Sequence, residues 1–372
     1  MKKILILNYG LHIAGVSKAL VNLANSLAED NHEVTIKLFH NDFTLAPELD
    51  KRVKCELFVK GYFGKILPLK IYGKIMQLIS KLPVEIQYRI VRGGVRFDVE
   101  IAYNRGYAAT LISHSTNSKA NKIAFVHTDF MKNANALAGF SDEKSAFEGY
   151  AKFDHVVCVS EQAKNSFIER IGDTGNLAVK YNIFDEADVV QKSQACDIPR
   201  SKFTVCSVGR ISKDKNLELM VDVANVIQRK GLDCDFWIVG DGEYKLELEE
   251  YIRKSGVDNI TLWGAAENPY PYFRCSDAFL STSAVEAFGL VVVEAMLLGK
   301  PVMVTKYTGA TEIVGEHGDY GSLMNYDAEQ IAAEIERLIT DDCYYADRKR
   351  QALLGSRRFS KDILYAQLKE LL

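Results

Sequence analysis

The stretch STSAVEAFGLVVVEAM, Ser281 to Met296, carries two carboxylates, Glu286 and Glu294, with seven residues between them. On one continuous α-helix an offset of eight residues is about 800°, which leaves the side chains about 80° apart and aimed at no common point. A strand, a loop and a helix fit better. AFLSTS (Ala278–Ser283) reads as a short buried strand and LVVVEAMLLG (Leu290–Gly299) as a helix ending at a glycine. Glu286 then falls in the loop and Glu294 just inside the helix. A helix start offers unpaired amides and the positive end of the dipole, so it favours an anion. Two acids beside an anion site point to a ligand that carries hydroxyls as well as phosphate.

The same strand–helix alternation extends in both directions. KILILN (Lys3–Asn8) is an all-apolar run of the kind buried on both faces of a parallel sheet. Ala19, Leu20, Leu23, Ala24, Leu27 and Ala28 then recur at helical spacing, and HEVTIKLF supplies a second strand. VEIAYN (Val99–Asn104), KIAFVH (Lys122–His127) and HVVCVS (His155–Ser160) are further strands. After the polar stretch Glu186–Ser201 the pattern restarts with TVCSVGR, LELMVDVANVIQRKG, DFWIVGDG, KLELEEYIRKSG and NITLWG. PVMVTKY and DAEQIAAEIERLI follow the opening stretch. Such alternation predicts an α/β chain of two doubly wound parallel-sheet domains, residues 1–186 and 187–355, with a C-terminal helix in 356–372 crossing back to the first. Ligands in such sheets bind beyond the carboxyl ends of the strands. The two sheets are therefore expected to face each other across a cleft, with a hinge around residues 186–201.

Composition narrows the function. A chain of 372 residues exceeds one ordinary core, and 48% hydrophobic with 26% charged residues is the balance of a soluble globular protein. The net charge of −3 argues against a nucleic-acid binder. MKKILILNYG meets charge and glycine too soon for a signal peptide, and no stretch approaches the roughly 20 apolar residues of a membrane span. The seven cysteines are scattered without metal-ligand or CxxC spacing, which reads as buried free thiols in a reducing cytoplasm. No DxD-type motif stands in a suitable loop, so neither an obligatory metal nor another cofactor is expected.

Arg210 ends the strand TVCSVGR and Lys215 follows in the next loop. Two cations at the carboxyl end of a parallel strand suit a diphosphate, the arginine as a bidentate fork and the lysine as a point charge. In order along the chain stand VGR (Val208–Arg210) with Lys215, VGDGE (Val239–Glu243), ENPYPYFRCSDAFLSTS, the Glu286–Glu294 stretch and Lys300-Pro301-Val302. This set resembles the retaining glycosyltransferases of family GT4, which have the two-domain GT-B fold. AGVSKALVNLANSLA (Ala14–Ala28), VHTDF (Val126–Phe130), VCVSE (Val157–Glu161) and YNIFD (Tyr181–Asp185) extend the resemblance over the N-terminal half.

The resemblance implies a nucleotide-diphosphate sugar donor, UDP-linked by preference, and a saccharide acceptor in capsule, exopolysaccharide or other cell-surface glycan synthesis. Arg210 and Lys215 would neutralise the diphosphate. The amides of Phe288, Gly289 and Leu290 would approach phosphate or sugar, Glu286 would hold sugar hydroxyls, and Glu294 would hold the ribose. His127 would face the donor sugar. Gly15, with Ala14 in place of the family's first glycine, would let the first domain close over the phosphates. Gly240 would border the nucleotide, although the residues alone read as a strand-to-helix turn. Asp129 reads as a cap. Members generally lack a protein nucleophile, and attack assisted by the leaving phosphate is the implied mechanism.

Lys51–Arg96 holds eleven basic residues against Glu56 and Glu85. Within LKIYGKIMQLISKLP, Lys70, Lys74 and Lys81 fall on one helical face and Ile71, Ile75, Leu78, Ile79 and Leu82 on another. This reads as a basic amphipathic helix able to lie on an anionic membrane, or as a helix packed on its own domain, and the resemblance implies the former, beside a lipid-linked acceptor. Two rival functions are a non-catalytic subunit of the same fold and a nicotinamide-dependent dehydrogenase. The intact Arg210, Lys215, Glu286 and Glu294 argue against the first. NYGLHIAGVS, which lacks GxGxxG, argues against the second. A glycosyltransferase with a protein acceptor is the remaining alternative.

Overall fold

The computed structural model describes residues 1–58, 69–286, 288–307 and 309–372. It divides into two compact units, Met1–Phe184 with Asp362–Leu372, and Asp185–Lys361. Unit 1 contains β1 (Lys3–Asn8), β2 (Glu33–Leu38), β3 (Lys54–Leu57), β4 (Val99–Ala102), β5 (Asn121–Val126), β6 (His155–Cys158) and β7 (Leu177–Val179). These form one parallel sheet in the order β3-β2-β1-β4-β5-β6-β7. Unit 2 contains β8 (Phe203–Val208), β9 (Cys234–Val239), β10 (Ile260–Gly264), β11 (Ala278–Ser281), β12 (Val302–Thr305) and β13 (Ser322–Met324). Its parallel order is β10-β9-β8-β11-β12-β13.

Both sheets follow one rule. The chain builds outward from its first strand, then crosses back to the other side of that strand and builds away. The direction of winding reverses between β1 and β4 in unit 1 and between β8 and β11 in unit 2. A reversal of this kind opens a crevice at the carboxyl ends of the two strands. The central strands are mostly apolar because crossover helices cover both faces. Ile4, Leu5, Ile6 and Leu7 of β1 are fully buried, as are Val205 and Cys206 of β8. Leu5, Val126, Tyr150 and Phe167 belong to the core of unit 1, and Val205, Phe236, Leu280 and Met303 to that of unit 2.

Several expectations change. The short strands β3, β7 and β13 extend the sheets beyond those read from sequence. The polar stretch assigned to a hinge begins with a helix, Glu186–Ser193, capped by the Asp185 carboxylate, which accepts from the Asp188 amide. The cysteines are free, but only Cys158, Cys206 and Cys234 are buried, while Cys196 and Cys343 are exposed. The basic segment forms two helices, Leu69–Ile79 and Val84–Arg92, and Lys81 and Leu82 lie between them. Its apolar residues divide. Ile79 and Tyr72 are buried and Ile75 packs on the core, whereas Leu78 is 66% exposed and Leu82 is also exposed. Lys60 and Lys65 lie outside the described residues, as do the side chains of Lys70 and Ile71.

Candidate active site

The crevice between β8 and β11 is where Arg210, Lys215 and Glu286 meet. A small cavity, open to solvent, is lined among others by Gly209, Arg210, Lys215, Thr282, Ser283 and Glu286. The first strand of the unit delivers Arg210 and the fourth delivers the loop to Glu286. Residues far apart in sequence therefore converge because of strand order alone.

The backbone under Arg210 depends on glycine. A Cβ on Gly240, at φ +152°, would lie 1.8 Å from the Gly209 carbonyl oxygen, so the ends of β8 and β9 approach as only glycine permits. Gly240 thus shapes the strand ends, the structural role read from the residues. Arg210 itself is exposed, and no hydrogen bond or ion pair of its side chain is found among the described residues. Lys215 closes the short 3₁₀ turn Lys213–Lys215, its amide donating to the Ser212 carbonyl at 3.0 Å.

The loop after β11 is held by hydroxyls, those of Thr282 and Thr305 buried. Thr305 Oγ1 donates to the Ser283 carbonyl at 2.7 Å, and Tyr326 donates to the same oxygen at 3.2 Å. Thr282 Oγ1 donates to the Lys215 carbonyl at 3.0 Å, and the Ala284 amide donates to the Asp214 carbonyl at 2.8 Å. These two bonds join the Lys215 loop to the Glu286 loop. Between them the Lys215 ammonium forms an ion pair with the Glu286 carboxylate, each side chain about one-fifth exposed (21% and 20%). Ser283 Oγ lies at 3.5 Å from the same carboxylate oxygen.

The helix after the loop is Leu290–Leu297, and Gly289 caps it at φ +96°, ψ 56°. A Cβ there would meet the Tyr307 hydroxyl at 2.5 Å. Phe288 is buried and packs edge-on against Phe359. Val291 lines the cavity, but Phe288, Gly289, Leu290 and Glu294 do not. Glu294 is the fifth helical residue, 8% exposed, and accepts a hydrogen bond from Tyr270 at 2.9 Å. Sequence reasoning missed Thr282, Ser283, Thr305, Tyr307 and Tyr326. A polar STS run closing an apolar strand was the available signal for the first two.

His127 and Gly15 belong to unit 1. His127 follows β5, stacked on Phe125 with ring centroids 5.7 Å apart and against Tyr103 at 4.7 Å. Both ring nitrogens are shielded from water and neither makes a hydrogen bond among the described residues. Burial pushes its pKa down to about 3, Arg105 adds to the shift, and the Tyr103 backbone, short of a formed bond, opposes it. The imidazole is therefore neutral at pH 7. Asp129 accepts from the Met131 and Lys132 amides at 2.9 and 3.1 Å, as a turn cap does. Gly15 is exposed and opens the helix Gly15–Glu29, while Ala14 before it is extended at φ −159°, a conformation alanine adopts freely. Among the described residues no group of three or more His, Cys, Asp and Glu side chains gathers as a metal requires.

This arrangement agrees with two family patterns. "Glycosyltransferase Family 4" matches residues 13–188 and "Glycosyl transferases group 1" matches residues 190–353. The chain belongs to the GT4 glycosyltransferases of GT-B fold. The capsular polysaccharide biosynthesis glycosyltransferase CapM of Staphylococcus aureus is 25% identical over 225 residues, 58% of each chain. A Campylobacter jejuni N-acetylgalactosaminyltransferase, named for a diphospho-undecaprenol saccharide, is 28% identical over 186 residues, 49% of this chain and 50% of that one. The chain spans about half the length of the curated relatives it matches. Anabaena Alr3699/HepE, solved with UDP-glucose, superimposes with a TM-score of 0.77 over 100% of this chain and 99% of that one, at 24% identity.

Proposed function

We propose that this GT4 protein is a retaining glycosyltransferase. It moves a hexose or N-acetylhexosamine from a UDP-sugar to a saccharide acceptor during synthesis of a bacterial surface polysaccharide. The observation that carries this reading is the cavity at the β8–β11 crevice, where Arg210, Lys215 and Glu286 meet. Two cations suit a diphosphate, and a carboxylate beside them suits sugar hydroxyls. As the glycosidic bond breaks, negative charge grows on the leaving diphosphate, and Arg210 and Lys215 stabilise it. The UDP-glucose complex of HepE and the polysaccharide names of the relatives support the same donor and setting.

The acceptor in this reading is lipid-linked, and the protein works on the inner face of the cell membrane. Leu78, Leu82, Ile86 and Ile90 are exposed at four-residue spacing, and Lys74 and Arg89 in the two helices and Lys81 between them are exposed as well. Apolar side chains flanked by cations suit an anionic lipid surface. The Campylobacter relative named for an undecaprenol-linked substrate points the same way. Among the described residues no helix is long and apolar enough to cross a membrane.

Transfer assays with a panel of UDP-sugars and undecaprenyl-diphosphate-linked saccharides test the function. We expect an α-linked product from an α-linked donor, by NMR of the anomeric proton, and full activity in EDTA. A β-linked product would overturn retention. Dependence on an added divalent ion would overturn the metal-independent part.

A further inference from the structure

The Lys215–Glu286 ion pair sets two binding roles against each other. On the reading above, Lys215 holds a phosphate and Glu286 holds sugar hydroxyls, yet in the structure the two are paired with each other. Each charge is partly spent on the other while the pair stays closed, although the ammonium keeps further N–H donors and the carboxylate its second oxygen. The loops themselves need not move for the pair to open. The Thr282 hydroxyl holds the Lys215 carbonyl and the Asp214 carbonyl holds the Ala284 amide, so the backbones on both sides are already tied together. Side-chain rotation is enough to separate the charges.

The two possible ligands open the pair at different cost. An intact nucleotide sugar gives Lys215 its phosphate oxygens and gives Glu286 its sugar hydroxyls. A bare nucleoside diphosphate rewards Lys215 only. It leaves the Glu286 carboxylate without its cation, in a cavity four-fifths shut from water at that side chain and next to a newly arrived negative charge. Like charges at close range in a partly desolvated site repel strongly.

We propose that this ion pair is a sugar-dependent gate: it disfavours the bare nucleoside diphosphate relative to the intact donor, and so promotes release of the product nucleotide after transfer. The proposal rests on the nucleotide-sugar reading of the cavity and adds a second role for Glu286 within it. Lys215 is given up to the ligand at lower cost when sugar hydroxyls occupy Glu286. Removing the negative charge at position 286 removes the competitor for Lys215, and the bare diphosphate gains most.

Isothermal titration of UDP into the wild-type protein and into Glu286→Gln tests the gate, with Glu286→Ala as a second variant and melting curves to check that all three fold. Glutamine keeps the size of the side chain and removes its charge. The expected result is UDP binding at least about threefold tighter in both variants than in wild type, as release of a partly exposed charge pair allows. Measured alongside, UDP-glucose should gain less than UDP from the same change. Binding of UDP by all three proteins, with equal or weaker affinity in the variants, overturns the gate and leaves the nucleotide reading standing. Binding of no nucleoside diphosphate by any of them overturns that reading and the gate together.

Discussion

Single residues decide this site, and their contributions separate by measurement. Lys215→Ala removes the point charge offered to a phosphate, so UDP affinity and turnover are both expected to fall, by about tenfold or more. Glu286→Ala is expected to cut turnover far more than it alters nucleotide affinity. Gly240→Ala tests a backbone requirement. Its methyl group would overlap the Gly209 carbonyl oxygen, and neither backbone has room to yield. We expect a loss of more than about 2 kcal/mol in urea unfolding, and an unchanged midpoint would contradict the geometry. His127 adds a pH dependence of known sign. With its folded pKa near 3 against an ordinary 6.5, the unfolded chain takes up the proton first as pH falls. Stability from this residue is therefore intact above pH 6.5 and declines between 6.5 and 3. His127→Gln should narrow the difference in urea midpoint between pH 7 and pH 5.

Much of the site was legible at this scale, but unevenly. Arg210, Lys215 and Glu286 announce themselves by charge and position after apolar runs, and the cavity brings them together. Glu294 carries the same charge, yet it is buried against Tyr270. That contact depends on a tertiary neighbour which spacing cannot reveal. The hydroxyls that hold the Glu286 loop were hidden for a related reason. Thr305 and Tyr326 act from other strand ends, and nothing local marks them.

Among the elements, those with strong patterns were readable. The break between β11 and the helix Leu290–Leu297 follows from two acids that one helix would not align and from a glycine at the join. Three of the four edge strands were not readable, because KCEL, LAV and SLM are too short to show a period and their pairing supplies what their sequences lack. The helices Leu69–Ile79 and Val84–Arg92 correct the single amphipathic stripe. Tertiary packing takes Tyr72 and Ile79 inward and leaves Leu78 out. Their proposed contact with lipid is testable on these elements. The double variant Leu78→Asp, Ile86→Asp should lose flotation with anionic liposomes at low salt while melting like wild type, since both side chains already face solvent. Retained flotation would locate membrane binding elsewhere, and absence of wild-type flotation would remove it.

For the whole molecule, two doubly wound sheets with the same strand order provide two crevices, and the tail joins the first unit. Tyr365 donates to Asp30 at 3.1 Å, Asn121 donates to the Leu371 carbonyl at 2.6 Å, and Leu364 and Leu368 are buried. Removing residues 362–372 exposes the surface under these two leucines. It should destabilise unit 1 by about 3–6 kcal/mol, at about 1.5–3 kcal/mol for each buried side chain. Calorimetry of the shortened chain should then show a lowered transition.

The claim on which the account turns is that the β8–β11 crevice of unit 2 holds a nucleoside diphosphate through Arg210. Titration of UDP into wild-type protein and into Arg210→Ala, at one ionic strength, tests it most directly. The account predicts saturable one-to-one binding to wild type and affinity at least about tenfold weaker in the variant, as loss of a bidentate charged contact implies. No UDP binding to the wild type, or equal affinity in the two proteins, would contradict it.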